Sequence, residues 1–238
     1  MKFLESVRNG TSRLAMALST TGFLLGATPS HVGNASSPPK RVEDTIMVCL
    51  FQEVYDPGRK YTPEDIDRIT HRTFICTKNK PESLIERYFR EIIRAESNDD
   101  PGIIGYEIEQ DSTGKFIYKM DEYNRRIPSG AKGLGQIKEI AWREGSKRLN
   151  YLSTYDKDVF NPWVNSDITM AHLLFQYDYA RLHHPNFDSL THSEQRQIIA
   201  AGNNWGPSRL ARNLYRLDKT PPETRAYVAK IKARLGDE

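Results

Sequence analysis

At 238 residues, 38% hydrophobic and with a net charge of +3, the chain has room for one sizeable domain with appendages. Its 34 basic and 31 acidic residues are interleaved rather than clustered, which argues against a nucleic-acid partner and suits an anionic polymer without demanding one. No cysteine or histidine spacing suggests a zinc site, and nothing in the chain points to a cofactor.

The amino terminus reads as a targeting segment. Lys2, Arg8 and Arg13 make a weakly positive start, diluted by Glu5, and residues 14–26 (LAMALSTTGFLLG) form an apolar stretch too short to span a bilayer comfortably. Gly33 and Ala35 supply the small residues before a cut at Ser36. Residues 1–35 are therefore expected to be a signal peptide or export leader, which places the mature chain in the periplasm or cell envelope; the bland alternative is a disordered leader. Residues 36–80 read as a linker (Ser36, Ser37, Pro38, Pro39) and an N-terminal helical extension. In that extension Thr62-Pro63-Glu64-Asp65 is a helix start, with Thr62 as cap and Pro63 at the first helical position. The cysteines, Cys49 and Cys76, lie in apolar contexts (MVCLF and TFICT); after export they could pair, and buried free thiols are equally compatible.

The most informative segment is 81–97, PESLIERYFREIIRAES. Leu84, Ile85, Tyr88, Phe89, Ile92 and Ile93 recur at helical spacing, and three to four residues beyond the last two lies Glu96. An apolar stripe thus ends in a carboxylate near a helix C-terminus, where the helix dipole disfavours negative charge. Burial there favours the neutral acid, as a general acid requires. The alternative is a last-turn glutamate that points to solvent. Pro81 and Glu82 are expected to open this helix.

Beyond the breaker Asn98-Asp99-Asp100-Pro101-Gly102, residues 106–109 and 115–118 alternate around Asp111-Ser112-Thr113-Gly114, which predicts a hairpin. Helical patterning resumes near Gly135 and recurs over 167–181, 194–201 and 223–235. Gly130-Ala131-Lys132-Gly133-Leu134-Gly135-Gln136-Ile137 is a glycine-rich approach to a helix, where backbone can come close to a ligand. Asn203-Asn204-Trp205-Gly206-Pro207 reads as a tight polar turn carrying an aromatic plate suited to a sugar face. His183-His184 beside Pro185 reads as a loop rather than a ligand pair.

The order of these segments carries more than any one of them. Glu-Ser at a helix end, Gly-Leu-x-Gln-Ile, Asn-Trp-Gly-Pro and Pro-Glu-Thr-x-x-Tyr-Val together resemble the soluble lytic transglycosylase family over about residues 84–235. Asn161-Pro162-Trp163-Val164-Asn165 is similar, less closely, to that family's Pro-x-x-Asn segment. The resemblance implies a mainly α, goose-type-lysozyme-like catalytic domain over 81–238 with a small β-hairpin insertion. It implies a lyase that cleaves the β-1,4 bond between N-acetylmuramic acid and N-acetylglucosamine in peptidoglycan and leaves 1,6-anhydro ends. Glu96 would be the acid/base, with Ser97, Gly133, Leu134, Gln136, Ile137, Asn203, Asn204, Trp205 and Tyr227 lining the substrate groove. Glycan strands are the implied partner, with an envelope-spanning secretion or conjugation apparatus as a specialised setting. The chain departs from the pattern in three ways. Asn203 stands where a tyrosine is usual, Gly135 stands where a methionine is usual and is expected to widen that wall, and the hairpin lengthens the gap after Glu96. A second carboxylate from that insertion (Glu107, Glu109 or Asp111) would turn the lyase into a muramidase, and loss of turnover would leave a wall-binding pseudoenzyme.

Overall fold

Thr62 caps the first helix in the way its sequence dictates. In the computed structural model, which describes residues 55–236 apart from Gly114, the Thr62 hydroxyl accepts from the Asp65 amide and the Asp65 carboxylate accepts from the Thr62 amide. Helix α1 (Pro63–Cys76) follows, with Ile66 and Ile69 fully buried. Helix α2 (Glu86–Ser97) starts later than Pro81 and Glu82 suggest. Lys80 precedes Pro81 where Thr62 precedes Pro63, so no side-chain acceptor is available there, and residues 81–84 close a turn through Leu84 N–H to Pro81 C=O (3.0 Å) instead. The leader, the linker, the first part of the helical extension and Cys49 lie outside the described residues. Cys76 is disulfide-bonded.

The insertion is larger than one hairpin. Strand β2 (Ile108–Gln110) pairs antiparallel with β3 (Phe116–Tyr118) in the expected way, Glu109 facing Ile117. The Asp111 carboxylate accepts from Thr113 N–H (2.9 Å) and Lys115 N–H (3.0 Å), which closes that turn. A second antiparallel pair, β1 (Ile104–Tyr106) with β4 (Pro128–Lys132), brackets the hairpin. Gly130-Ala131-Lys132 is thus strand rather than an approach to a helix, and helix α3 (Glu139–Leu149) begins only after the Gly133–Ile137 turn.

Short α4 (Tyr155–Asp158) leads into α5 (Pro162–His183), the longest helix. It begins before Asp167 because Asn161 caps it, accepting from Trp163 N–H (3.1 Å), with Pro162 at the first helical position. Helix α6 (His192–Trp205) has its own capping box, Thr191 with Glu194, and runs past Ala201 to include Asn203, Asn204 and Trp205. The expected polar turn is therefore a helix end. Only Gly206, at φ +99°, leaves the helix, and α7 (Pro207–Arg212) follows at once. The last helix, α8 (Pro222–Leu235), packs on α2 and α6.

Architecturally the body is mainly α with two small antiparallel sheets. Its main core joins Ile66 and Ile69 of α1, Phe89, Ile92 and Ile93 of α2, Leu173 of α5, Ile199 and Ala201 of α6, and Val228 and Ile231 of α8. A smaller core gathers Ile137, Trp142, Val159 and Ile168 under α3. Between them lies a buried charge. Asp167 receives two hydrogen bonds from Arg72 Nη1 (2.9 and 2.7 Å), one from the Thr73 hydroxyl (2.6 Å) and one from the Tyr151 hydroxyl (2.7 Å). With 7% and 9% side-chain exposure, Arg72 and Asp167 are a buried pair that stays favourable only while each partner is present.

Asp167→Ala leaves the Arg72 guanidinium buried without its carboxylate, and is expected to cost about 3–5 kcal/mol in urea denaturation. A loss below about 1 kcal/mol, the scale of an exposed pair, would mean that α1 can move to rehydrate the arginine.

Candidate active site

Glu96 occupies the last turn of α2, on the face that the stripe of Tyr88, Phe89, Ile92 and Ile93 buries. The helix stops where it does because Asn98 (φ 53°) and Asp99 (φ 68°) both enter the left-handed region. Asp99 is clamped there by Arg90 and Arg94. Burial pushes the Asp99 carboxyl up, and the arginines more than reverse this, so its pKa lies below the ordinary carboxylate range. The turn that presents Glu96 is thus held by charge as well as by packing.

Three helices converge on the Glu96 carboxyl. The Tyr227 hydroxyl of α8 donates to Oε1 at 2.6 Å, and Asn203 Nδ2 of α6 donates to the same oxygen at 2.8 Å. Asn203 Nδ2 also lies 3.3 Å from the Tyr227 oxygen, which closes a triangle. Among the described residues nothing bonds Oε2, and that oxygen is not sealed from solvent. Since Oε1 already accepts two hydrogens, a proton on the carboxyl belongs on Oε2, the oxygen open to a substrate. Burial pushes the acid up from 4.5 to about 7, while hydrogen bonds from Tyr227 and Asn203, and the charge of Lys230, restrain the rise. Such a group both gives and takes a proton near neutral pH.

Close packing sets the approach of α6. A Cβ at Gly202 would lie 2.8 Å from Gln176 Oε1 on α5, so the helix preceding Asn203 packs closely against α5 and a side chain there would displace the Gln176 amide. Asn204 stands one step away, its Oδ1 accepting from the Thr224 hydroxyl (2.8 Å) in the first turn of α8. Trp205 is partly buried and packs on the main core. Ser97 is buried and bonds back to Ile93 C=O at 3.0 Å, so it braces the helix end rather than facing a ligand.

The glycine-rich turn is assembled by a different clamp. Asn165 on α5 accepts from Gly135 N–H (2.8 Å) through Oδ1 and donates through Nδ2 to Val159 C=O (2.8 Å) and Lys132 C=O (3.3 Å). Gly133 (φ +74°) has no space for a side chain, since a Cβ would sit 2.3 Å from Asn165 Nδ2. At Gly135 a Cβ would lie 1.9 Å from Thr169 Oγ1. The expected widening at Gly135 is therefore absent, because Thr169 fills that place from the opposite helix. Gln136 (φ 45°) folds its amide back, Nε2 donating to Gly133 C=O (2.9 Å) and Ile103 C=O (3.2 Å). Leu134 belongs to the main core and Ile137 to the smaller one. Among the described residues no hydrogen bond joins this turn to Glu96.

Sequence reasoning overlooked Asn165 as the turn's anchor, Thr224 as the partner of Asn204, and Lys230 as the nearby cation. Lys230 lies three residues after Tyr227, a spacing that places both on one helix face and signals their association. Of the insertion's three carboxylates, Glu107 pairs with Lys119 (3.4 Å) and Asp111 holds its turn, while Glu109 sits exposed on β2 opposite Ile117. Among the described residues no group of three or more His, Cys, Asp or Glu side chains converges as metal ligands would, and no helix is long and apolar enough to cross a membrane.

The acid's elevated pKa has a stability cost whose sign is definite. Below pH 4.5 the Glu96 carboxyl is protonated in both folded and unfolded chains; between there and about 7 only the unfolded chain releases the proton, so folding weakens as pH rises. Glu96→Gln, which keeps an acceptor for Tyr227 and Asn203, is expected to stabilise the chain at pH 8 by about 1–3 kcal/mol more than at pH 4. Equal effects at both pH values in thermal unfolding would show a carboxyl that titrates normally. No protein-family model matches the chain, and no curated protein or solved structure does either.

Proposed function

We propose that this chain is a peptidoglycan lytic transglycosylase with a goose-type-lysozyme-like fold, acting in the periplasm or cell envelope. The observation that carries the reading is the Glu96 carboxyl, with a pKa near 7, one oxygen held by Tyr227 and Asn203 and the other open. The order of the sequence motifs around it, from Glu96-Ser97 to Tyr227-Val228, supports the same assignment.

The chemistry needs a single protein carboxylate. Glu96 Oε2–H protonates the glycosidic oxygen between N-acetylmuramic acid and N-acetylglucosamine as the C1–O bond breaks through an oxocarbenium-like state. The leaving sugar departs as a neutral alcohol. The Glu96 carboxylate then takes the proton from the C6 hydroxyl of the muramyl sugar, whose oxygen attacks C1 and closes the 1,6-anhydro ring. The substrate's N-acetyl group shields C1 between these steps, in the substrate-assisted manner that dispenses with a second protein carboxylate. Tyr227 and Asn203 keep Oε1 occupied, so that the proton leaves from and returns to one oxygen. Asn203 thereby serves the acid without an aromatic ring. An envelope-spanning secretion or conjugation apparatus is the natural recruiter of such an activity.

Digestion of purified peptidoglycan by the full chain, followed by mass spectrometry, is the direct test. Muropeptides one water lighter than hydrolysis products are expected, and none from Glu96→Gln. Hydrated products would identify a muramidase instead, and no release from a folded chain that still binds wall would identify a pseudoenzyme.

The pH profile gives a second test. Activity that begins with protonated Glu96 is lost as pH rises through about 7. Tyr227→Phe removes a hydrogen bond that lowers the acid's pKa, so the alkaline limb of kcat/KM is expected to move to higher pH while kcat falls. An unmoved limb would remove Glu96 as the titrating acid.

A further inference from the structure

The loop that follows α2 lines a cavity of about 450 Å³, which Glu96 itself does not line. Its size falls in the range of small-ligand sites. One wall is the loop Asn98–Gly102, which begins two residues after Glu96; the other is the segment 55–63 that leads into α1, outside the stretch carrying the motifs of the wall-cleaving family. Tyr55, Tyr61 and Phe160 contribute aromatic surface. The polar lining carries both signs, and its acids are already engaged in part. Asp56 accepts from Gly58 N–H (2.8 Å), Asp100 accepts from Gly102 N–H (2.8 Å), and Arg90 and Arg94 clamp Asp99. Asp56 and Asp100 are exposed, and each keeps one carboxylate oxygen without a partner among the described residues. Lys60 is exposed and makes no ion pair among the described residues.

We propose that this cavity seats the peptide stem of the wall substrate, a short zwitterionic peptide with carboxylates and the ammonium group of its diamino acid. The proposal rests on the wall-cleaving reading of Glu96. Lys60 supplies a cation for a stem carboxylate, the open oxygens of Asp56 and Asp100 take an ammonium, and the aromatic walls cover the aliphatic part of the chain. Position supports the same occupant. The stem hangs from the muramyl sugar whose C1 is the reacting centre, so it must leave the glycan close to the acid. Asn98 and Asp99, which line the cavity, follow Glu96 in the chain by two and three residues. The segment 55–63 thus adds a selector for strands that still carry peptides.

The test pairs binding with turnover on the full chain. The probe is the free tripeptide L-alanyl-D-glutamyl-diaminopimelate, titrated calorimetrically. Turnover is compared on intact peptidoglycan and on glycan stripped of its stems by an amidase. The tripeptide is expected to bind saturably, and intact wall to be cleaved severalfold faster than stripped glycan. Lys60→Glu is expected to weaken tripeptide binding about tenfold, the scale of one charge-assisted hydrogen bond, and to shrink the rate ratio. Asp100→Asn keeps an acceptor for Gly102 N–H while removing the charge, and is expected to act in the same direction. Thermal unfolding of both variants confirms that these exposed positions leave the fold intact. Cleavage without saturable tripeptide binding, or binding that neither variant changes, overturns the stem site and leaves the Glu96 reading standing. Tripeptide binding that depends on Lys60, from a chain that cleaves nothing, supports the stem site and overturns the enzyme reading.

Discussion

Two hydrogen bonds converge on one oxygen of Glu96, and they require three helices to meet at that point. Tyr227 reaches Oε1 from α8 and Asn203 from α6, while the acid stands at the end of α2. Each donor comes from an element that packs on the others through apolar faces: Ile92 and Ile93, Ile199 and Ala201, Val228 and Ile231. The core therefore sets the positions of the donors. Hydrophobic burial has no direction of its own. It becomes directional here because the polar atoms can be satisfied in only one relative placement of α2, α6 and α8. The same burial that packs the helices raises the acid's pKa, so one physical cause serves both stability and chemistry.

Helix α5 divides the structural work along its length. At its start Asn165 ties the glycine-rich turn to Val159, with two hydrogen bonds to the turn and one to Val159 C=O, and Thr169, one helical turn on, fills the space beside Gly135. Between them Asp167 faces the other way and binds Arg72, Thr73 and Tyr151, which draws α1 into the body. Further along, the Gln176 side chain packs against Gly202 of α6. Four polar side chains on one helix thus fix the loop, the first helix and the donor helix. Each is buried, so each substitution exposes an unsatisfied partner rather than a solvated surface.

What could be read from sequence divides along a physical line. Periodicity located the apolar faces, and Glu96 at the end of its stripe, because burial of a helix face imposes a period of 3.6. Capping chemistry located the start of α1, where Thr62, Pro63 and Asp65 agree, and misplaced that of α2, where Lys80 supplies no acceptor. The hairpin at Asp111 was legible because its turn is local. The β1–β4 pair was not, since Ile104 and Lys132 meet only through a long-range ladder. Asn203, Asn204 and Trp205 looked like a turn by composition, yet the Thr191 capping box and the packing of α6 carry the helix through them. The Thr224 hydroxyl bonds Asn204 across two helices, a contact no local pattern announces, whereas Lys230 was signalled only by its spacing from Tyr227.

At Asn203 and Gly135, where the motif resemblance leads one to expect a tyrosine and a methionine, the surrounding side chains fit the residues present. A glycine at 135 removes a side chain, but the vacated volume belongs to Thr169, whose hydroxyl bonds Asn165 C=O at 2.7 Å. Methionine there would collide with that threonine, so the two positions form one packing unit. An asparagine at 203 is shorter than a tyrosine, yet its Nδ2 bonds Glu96 at 2.8 Å. Its second function is to bond Tyr227, which a tyrosine hydroxyl with a single hydrogen cannot do while also donating to Glu96. The amide carries two hydrogens, and both have acceptors within reach. A tyrosine at 203 would therefore supply a ring but remove one of those donors. The acid's geometry accommodates an asparagine there, because one amide nitrogen reaches both Glu96 and Tyr227.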